Sequence, residues 1–289
     1  MAKDVIKIGV VAPASCIDLT IANRVIALAH QLYPDNPPEI IFHPQCFMSY
    51  CHFAGDDTVR ARSFLEVAND ETFDVLWFAC GGYGSCRLVK QILPSLTNVA
   101  HNKIYLGYSD TGSLLAGLYK YGCFGTTHGP MPTDIKRING EIAIARVFDF
   151  LIKGDLNTLE STVLSDIPTV AFNSTILSNL IGTPFEPDLT DHILMLEEVS
   201  EHLYRIDRTL FHLTNTTSIR RVAGIKLGRC SNIPQNEPKF GKTVEEIIRY
   251  WCDNSGIAYL GSADIGHDVN NKIVPFGCWK SFKSKYIKG

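Results

Sequence analysis

The sequence lacks the features that would place the chain on nucleic acid or in a membrane. Its formal net charge is −3, from 27 lysines and arginines against 30 acidic residues, and it contains no long basic run. It also lacks an apolar run long enough to span a bilayer. We therefore expect neither a nucleic-acid nor a membrane partner. No long apolar stretch follows the amino terminus, so we predict no signal peptide and a cytoplasmic location.

Metal and nucleotide motifs are missing as well. The glycine-rich stretch 81–84 has neither the Gly-x-Gly-x-x-Gly spacing nor the Gly-Lys-Ser/Thr ending of phosphate-binding loops. The nine cysteines are an odd number, scattered without the pattern of a small disulfide-linked protein, which indicates buried or free thiols in a reducing compartment. One cluster of potential metal ligands matches no zinc spacing, namely His43, Cys46, Cys51 and His52. The sequence therefore gives no clear indication of a metal or nucleotide site.

Short apolar segments alternate with amphipathic ones through the first half of the chain. Continuous apolar runs are typical of buried parallel strands, and apolar residues every three or four positions are typical of helices. This alternation predicts an α/β fold whose N-terminal part is a doubly wound, mostly parallel sheet. Strands are predicted at 5–11, 39–42, 74–79 and 103–106, and helices at 21–32, 58–67 and 138–152.

The second half of the chain is more mixed. Strands are predicted at 169–172, 192–196, 221–227, 257–260 and 273–277, with helices at 204–213 and 243–251. The segment 126–132 is predicted to be a loop, and the polar, turn-rich residues 153–157 indicate a domain boundary. We therefore predict an N-terminal domain at 1–152, a linker at 153–166 and a C-terminal domain at 167–289. The C-terminal domain is expected to be smaller, with an α+β architecture and α/β as the alternative.

A serine stands at the end of the fourth predicted strand. The apolar run 103–106 leads into Gly107 and Ser109, after which leucines recur at helical spacing. A sharp turn from strand to helix lifts a serine hydroxyl above the sheet edge, where the helix N-terminus favours developing negative charge. Ser109 is therefore a candidate nucleophile, and helix capping by Ser109 or Asp110 is the alternative. The common hydrolase motif Gly-x-Ser-x-Gly is not present, because Thr111 replaces its second glycine.

Three glycines follow the third predicted strand, within the segment 80–87. Glycines at a strand end allow backbone N–H groups to approach a ligand closely. The loop is expected to lie beside the strand that carries Ser109. An oxyanion hole is therefore one interpretation, and a tight turn without a ligand is the other.

A serine nucleophile needs a base and a carboxylate that orients the base. His267 lies in a polar, glycine-flanked loop between two predicted strands, where functional side chains are commonly displayed, and His128 is the rival base. Glu197 and Glu198 end an apolar run, and strand alternation places them on opposite faces. We expect one of the two carboxylates to point into a site and the other to meet solvent.

With these segments collected, the chain resembles the serine LD-carboxypeptidase family, which includes murein tetrapeptide carboxypeptidases and microcin C immunity peptidases. The resemblance covers almost the full length. It departs at 170–174, where the family usually has a glycine pair before asparagine, and this departure leaves substrate preference open. Five motifs carry it, namely the Ala-Pro turn at 8–15, the glycine-rich loop at 81–87, the nucleophile turn at 107–111 with 129–131 after it, the acid motif at 196–208 and the histidine motif at 266–277.

The resemblance also implies roles for individual residues. The family's oxyanion hole corresponds to the backbone N–H groups of Asp110 and of a loop glycine, Gly82 in preference to Gly81. The side chains that correspond to the family's triad are the nucleophile Ser109, the general base His267 and the orienting acid Glu197, with Glu198 as a minor alternative.

The implied activity is hydrolysis of the amide that joins an L-configured centre to a terminal D-amino acid. In the family this is release of D-alanine from a cytoplasmic murein tetrapeptide during cell-wall recycling, by a homodimer that needs no metal or cofactor. Two alternatives remain. One is an immunity-type peptidase that cleaves aminoacyl- or peptidyl-nucleotide conjugates, and the other is a non-catalytic protein that binds a small ligand.

Overall fold

The fold is built on two sheets with helices packed around them. A computed structural model describes residues 5–287. Within this range the strands are β1 (Lys7–Val11), β2 (Glu39–Phe42), β3 (Val75–Phe78), β4 (Ile104–Gly107), β5 (Thr126–His128), β6 (Thr169–Asn173), β7 (Ile193–Val199), β8 (Gly224–Ser231), β9 (Tyr259–Ser262) and β10 (Val274–Pro275).

The helices connect and cover the strands. None of those within residues 5–287 is long and apolar enough to cross a membrane. A π-turn (Asp149–Lys153) extends the fifth of them, and short 3-10 helices occupy several connections. The α-helices are α1 (Leu19–Leu32), α2 (Asp57–Ala68), α3 (Val89–Ile92), α4 (Gly112–Lys120), α5 (Gly140–Phe148), α6 (Ser174–Leu180), α7 (Leu203–Asn215), α8 (Val244–Ser255) and α9 (Trp279–Tyr286).

The first sheet has six strands in the order β10-β5-β4-β3-β1-β2. Its pairs are parallel except for the antiparallel pair of β10 with β5. The second sheet has four parallel strands in the order β6-β7-β8-β9. The predicted fold class is therefore confirmed. Because the strands of the second sheet are parallel and helices lie between them in the chain, the second half has the α/β architecture, not α+β.

The two sheets share their hydrophobic core. Every residue of β3 and β4 is buried, which is the physical reason for their continuous apolar runs. Leu76 of β3 and Leu194 of β7 belong to one hydrophobic cluster, and Trp77 and Met195 belong to another. Because neighbouring residues of a strand face opposite ways, each sheet contributes to both clusters. This shared packing holds the strand ends of the two sheets in fixed relative positions.

The structure differs from the sequence-based expectation near the edge of the first sheet. The segment 126–132, predicted to be a loop, begins with β5, which pairs with β4 and β10. The strand has three residues, too few for a recognisable alternating pattern. Strand β10, from the part assigned to the C-terminal domain, forms the edge of the first sheet. The predicted domain boundaries, with a linker at 153–166, stay a prediction.

Candidate active site

Ser109 lies at the sharp turn from β4 into α4. Gly107 ends the strand, and Ser109 has a φ of +61°, in the left-handed region. A residue with a Cβ loses roughly 1–2 kcal/mol in this conformation. Such strain is concentrated at functional turns, where the surrounding structure enforces it. A 3-10 turn (Ser109–Thr111) leads directly into α4, so the serine hydroxyl is carried at the start of a helix.

Ser109, His267 and Glu197 form one hydrogen-bonded chain. The distance from Nε2 of His267 to Oγ of Ser109 is 2.9 Å, and the distance from Nδ1 to Oε2 of Glu197 is 2.6 Å. Ser109 follows a strand of the first sheet, Glu197 lies in β7 of the second, and His267 lies between β9 and β10. The histidine is thus bonded to residues that are 158 and 70 positions away.

The bonding pattern suits proton transfer from the serine. An imidazole that carries its proton on Nδ1 donates to the carboxylate and accepts the hydroxyl proton at Nε2. Glu197 is buried, and this burial raises its pKa, while the hydrogen bond and charge of His267 act in the opposite direction. The arrangement can therefore serve nucleophilic catalysis with a base and an orienting acid.

Glu198 binds elsewhere, at the N-terminus of α6. Its Oε1 accepts from the side-chain amide of Asn173 at 2.7 Å and from the backbone N–H of Val199 at 3.0 Å. Its Oε2 accepts from Ser174 Oγ at 2.6 Å and from both the N–H and the hydroxyl of Thr175. The expectation that the second carboxylate meets solvent is wrong, because Glu198 is only 3% exposed. Helix α6, which the sequence analysis does not predict, covers it.

The glycine-rich loop packs closely against Ser109. A Cβ built on Gly81 would lie 3.1 Å from both Cβ and Oγ of Ser109. Gly82 has a φ of +107°, and a Cβ there would lie 2.3 Å from Ser15 Oγ, so a side chain would be crowded at Gly81 and strained at Gly82. The N–H of Asp110, near the start of the helical turn, has no acceptor within the helix. Both segments that would supply the predicted oxyanion donors therefore border the serine hydroxyl.

The side chain of Asp110 connects these two segments. Its carboxylate accepts the N–H of Ser85 at 2.9 Å and the N–H of Gly84 at 3.3 Å. Ser85 Oγ in turn donates to the backbone oxygen of Asp110 at 2.5 Å. Both residues are buried. The residues around Asp110 indicate its capping ability, but nothing in them predicts this contact with a segment about 25 positions away.

His128, the rival base, is buried on β5 and is bonded away from the serine. Its Nε2 lies 3.0 Å from Oδ1 of Asn271, which also accepts the N–H of Gly266. Burial lowers the pKa of His128 to about 4, with the charge of His267 acting in the same direction and the bond to Asn271 opposing both. His128 therefore contributes to anchoring the loop that carries His267.

Two arginines and a tyrosine complete the support of that loop, and sequence analysis missed all three. Arg229 forms ion pairs with Asp264 and Asp268, on either side of His267. Arg146 donates to the backbone oxygens of residues 269 and 271 at 2.7 and 3.0 Å. The ring of Tyr108 packs on the His267 imidazole, with ring centroids 4.8 Å apart. The imidazole is therefore held from several directions.

The four potential metal ligands of the sequence do not converge. His43 bonds to Glu66 at 2.9 Å, and the buried Cys46 thiol donates to the backbone oxygen of Val10. Cys51 is exposed. Among residues 5–287, no group of three or more histidines, cysteines or carboxylates is placed to hold a metal ion.

Two family models match the chain. The LD-carboxypeptidase N-terminal domain matches residues 8–129, and the LD-carboxypeptidase C-terminal domain matches residues 168–281. The two matches together span well over half of the chain. They include all three members of the hydrogen-bonded chain described above.

Curated proteins and solved structures resemble the chain over most of its length. A Synechocystis protein named as a carboxypeptidase is 30% identical over 83% of this chain and 79% of its own. A Bacillus subtilis protein named as a murein peptide carboxypeptidase is 27% identical over 93% of this chain and 86% of its own.

Among solved structures, muramoyltetrapeptide carboxypeptidase from Oxalobacter formigenes superposes with a TM-score of 0.77 at 21% identity, covering 94% of this chain and 92% of the other. MccF in complex with glutamyl sulfamoyl guanosine gives 0.75 at 18% identity, covering 94% and 91%. At these identities the two structures show a common fold.

Proposed function

The chain belongs to the LD-carboxypeptidase family and is a serine-type hydrolase, and we propose that it releases a terminal D-amino acid from an L,D-linked murein tetrapeptide. The proposal rests on the position of the His267 imidazole, which lies between the Ser109 hydroxyl and the Glu197 carboxylate. Family membership supports the type of amide bond. The name of the Bacillus subtilis relative supports a murein peptide as the substrate.

In the first step the Ser109 oxygen attacks the carbonyl carbon of the scissile amide. Its proton passes to Nε2 of His267, and the carbonyl oxygen becomes an oxyanion. The backbone N–H groups of Asp110 and Gly82 hold this oxyanion, and the loss of one such donor typically costs about 10²–10³ in rate. Glu197 keeps the imidazole oriented and stabilises the imidazolium, without accepting the proton itself.

In the second step His267 gives the proton to the leaving nitrogen. The C–N bond breaks, the D-amino acid departs, and the rest of the peptide remains as an ester on Ser109. Water then attacks this ester while His267 takes a proton from the water. Collapse of the second oxyanion returns that proton to the serine oxygen and frees the shortened peptide.

The experiment is a turnover assay with two tetrapeptides that end in D-alanine, one with lysine and one with diaminopimelate at the third position. Mass spectrometry of free D-alanine and of the tripeptide measures the reaction. We expect native protein to convert at least one peptide and the Ser109→Ala variant to convert neither. Comparable activity in the variant would rule out the acyl-enzyme scheme.

A parallel assay separates the chemistry from the substrate. Native protein and Ser109→Ala are treated with a fluorophosphonate probe and with an aminoacyl-sulfamoyl nucleotide. If native protein is labelled at Ser109 and cleaves the nucleotide conjugate but neither tetrapeptide, the triad stands and the substrate proposal is wrong. Absence of labelling together with absence of any turnover would contradict the catalytic proposal itself.

The cellular setting follows from the same proposal. A murein tetrapeptidase that works in cell-wall recycling meets its substrate in the cytoplasm, and we propose that location and a homodimeric state for this protein. Light scattering coupled to size-exclusion chromatography measures the state directly. Fractionation of cells that produce the protein tests the location.

A further inference from the structure

The proposed oxyanion donors come from two separate strand ends. Gly82 follows β3 and Asp110 follows β4, and the ladder between these two strands ends with Trp77 opposite Leu106. Beyond that point no shared ladder fixes the distance between the two segments. The loop after β3 also contains glycines, which have more backbone freedom than other residues. A contact outside the ladder must therefore hold the loop against the nucleophile turn.

The side chain of Asp110 provides that contact. Among residues 5–287, the hydrogen bonds between the glycine-rich loop and the nucleophile turn are those that join Asp110 to Gly84 and Ser85. The N–H of Ser15 also bonds to the oxygen of Gly81 at 3.3 Å, in the same peptide unit as the Gly82 N–H. That bond orients the peptide but does not join it to the nucleophile turn. Hydrogen bonds to a carboxylate are stronger than neutral ones, and the burial of Asp110 removes competing water.

We infer that the Asp110 side chain is a positioning residue, which holds the glycine-rich loop so that the Gly82 N–H reaches the oxyanion together with the Asp110 N–H. This inference rests on the proposed function, since it assumes an oxyanion at Ser109. One residue then supplies one donor through its backbone and places the other through its carboxylate. The side chain itself does not touch the substrate.

Asp110→Asn is the informative variant because it preserves the shape of the side chain. An asparagine can accept one of the two backbone N–H groups, and its NH₂ must then face the other. The loop is expected to shift away from this clash. A displacement of about 1 Å at a reacting centre can cost about 10² in rate. We expect kcat to fall about 100-fold, with KM within about twofold of native.

Glu160→Gln is the matched control. Glu160 is also a buried carboxylate, accepts the N–H of Thr162 at 2.8 Å and pairs with Lys226, outside the contacts of Ser109 and His267. The Glu160→Gln variant should have a lower melting temperature than native protein, while its kcat stays within about twofold of native. A structural role alone would give Asp110→Asn the same outcome. The split between kcat and KM, measured beside the melting temperature, therefore separates positioning from stability.

A second readout does not depend on the peptide. The reaction of Ser109 with a fluorophosphonate also needs the oxyanion donors. We therefore expect the labelling rate to fall about 100-fold in Asp110→Asn. If native protein is labelled but converts no tetrapeptide, the substrate proposal fails and the labelling rates still decide the role of Asp110. If native protein is neither labelled nor active, both proposals are overturned.

The inference is overturned if Asp110→Asn labels and turns over within about twofold of native. Should Asp110→Asn not fold, Asp110→Ala replaces it, because that change removes both carboxylate bonds and introduces no NH₂ that would face a backbone donor. We expect kcat and the labelling rate of Asp110→Ala to fall about 100-fold. Unchanged kcat and labelling in Asp110→Ala would then overturn the inference.

Discussion

Glu197 and Glu198 are consecutive residues of β7, both almost fully buried, and their carboxylates bind different parts of the molecule. Glu197 accepts from the imidazole of His267, and Glu198 accepts from the residues that begin α6. Two side chains of the same chemical type are therefore expected to differ in what their loss costs. In the proposed reaction one affects the rate, and the other affects the stability of the fold.

The pair can be tested with amide substitutions. Glu197→Gln is expected to lower kcat by about 10⁴, because it removes the charge that stabilises the imidazolium. Glu198→Gln is expected to lower kcat less than about tenfold and to lower the free energy of unfolding by about 2 kcal/mol, since its NH₂ must face backbone donors. Steady-state kinetics and denaturant unfolding measure both variants. Equal losses of kcat would contradict the assignment of Glu197 as the orienting acid.

Two substitutions of Ser109 are expected to distinguish the loss of the hydroxyl, which abolishes activity, from backbone strain at this residue, which affects stability. Ser109→Ala and Ser109→Gly should both be inactive, since each lacks the hydroxyl. At a φ of +61° alanine keeps the Cβ that disfavours this conformation and glycine does not. We therefore expect the glycine variant to be more stable than the alanine variant by about 1 kcal/mol in denaturant unfolding. Equal stabilities would mean that the turn is not strained at this residue.

A methyl group on Gly81 is expected to obstruct the nucleophile. The added Cβ would lie 3.1 Å from Ser109 Oγ, closer than an ordinary contact. Gly81→Ala should therefore lower kcat/KM about 10- to 100-fold, because a small displacement at the reacting centre is costly. Gly112→Ala is the matched control, since its Cβ would lie 3.4 Å from Ile176 in an ordinary contact, and its kcat/KM should stay within about threefold of native. Similar kinetics for the two variants would exclude close packing of the loop on Ser109.

The buried imidazole of His128 is expected to make stability depend on pH. Burial lowers its pKa from 6.5 to about 4, so between these values the unfolded chain binds a proton that the folded chain does not. Above pH 6.5 the neutral His128 costs the folded state nothing. As the pH falls from 6.5 towards 4, the free energy of unfolding decreases by about 3 kcal/mol in all, because only the unfolded chain gains the proton.

The measurement is denaturant unfolding of native protein and His128→Gln between pH 4 and 7. The other titrating groups, including Glu197, are common to both proteins, so the difference between the two curves isolates His128. The variant should show the flatter dependence. Parallel curves would mean that His128 is not held neutral by the fold.

Sequence reasoning could identify features that local patterns encode. The fold class follows from buried apolar runs such as that of β4, and it is confirmed. Positions beside such runs indicate Ser109 and His267 as candidates, and the structure brings their side chains within hydrogen-bonding distance. Their roles remain predictions. Strand alternation separated Glu197 from Glu198 but could not say that a helix covers the second carboxylate.

Contacts between distant segments could not be predicted in the same way. The bonds of Asp110 to the loop at 84–85 span about 25 positions and depend on how β3 and β4 end side by side. Arg229 reaches the His267 loop from β8, and nothing in its neighbouring residues marks it. The short strand β5 is defined by the neighbours it pairs with rather than by its own three residues.

Strand β10 has a consequence for how the protein is made. It is the edge of the sheet that carries Ser109, yet it lies at 274–275, where Val274 pairs with His128 from 146 positions earlier. During synthesis the segment with the serine leaves the ribosome long before the histidine and this last strand. The proposed hydrolase can therefore acquire its activity only after His267 and β10 have been synthesised, so a nascent chain that stops before them carries an unactivated serine.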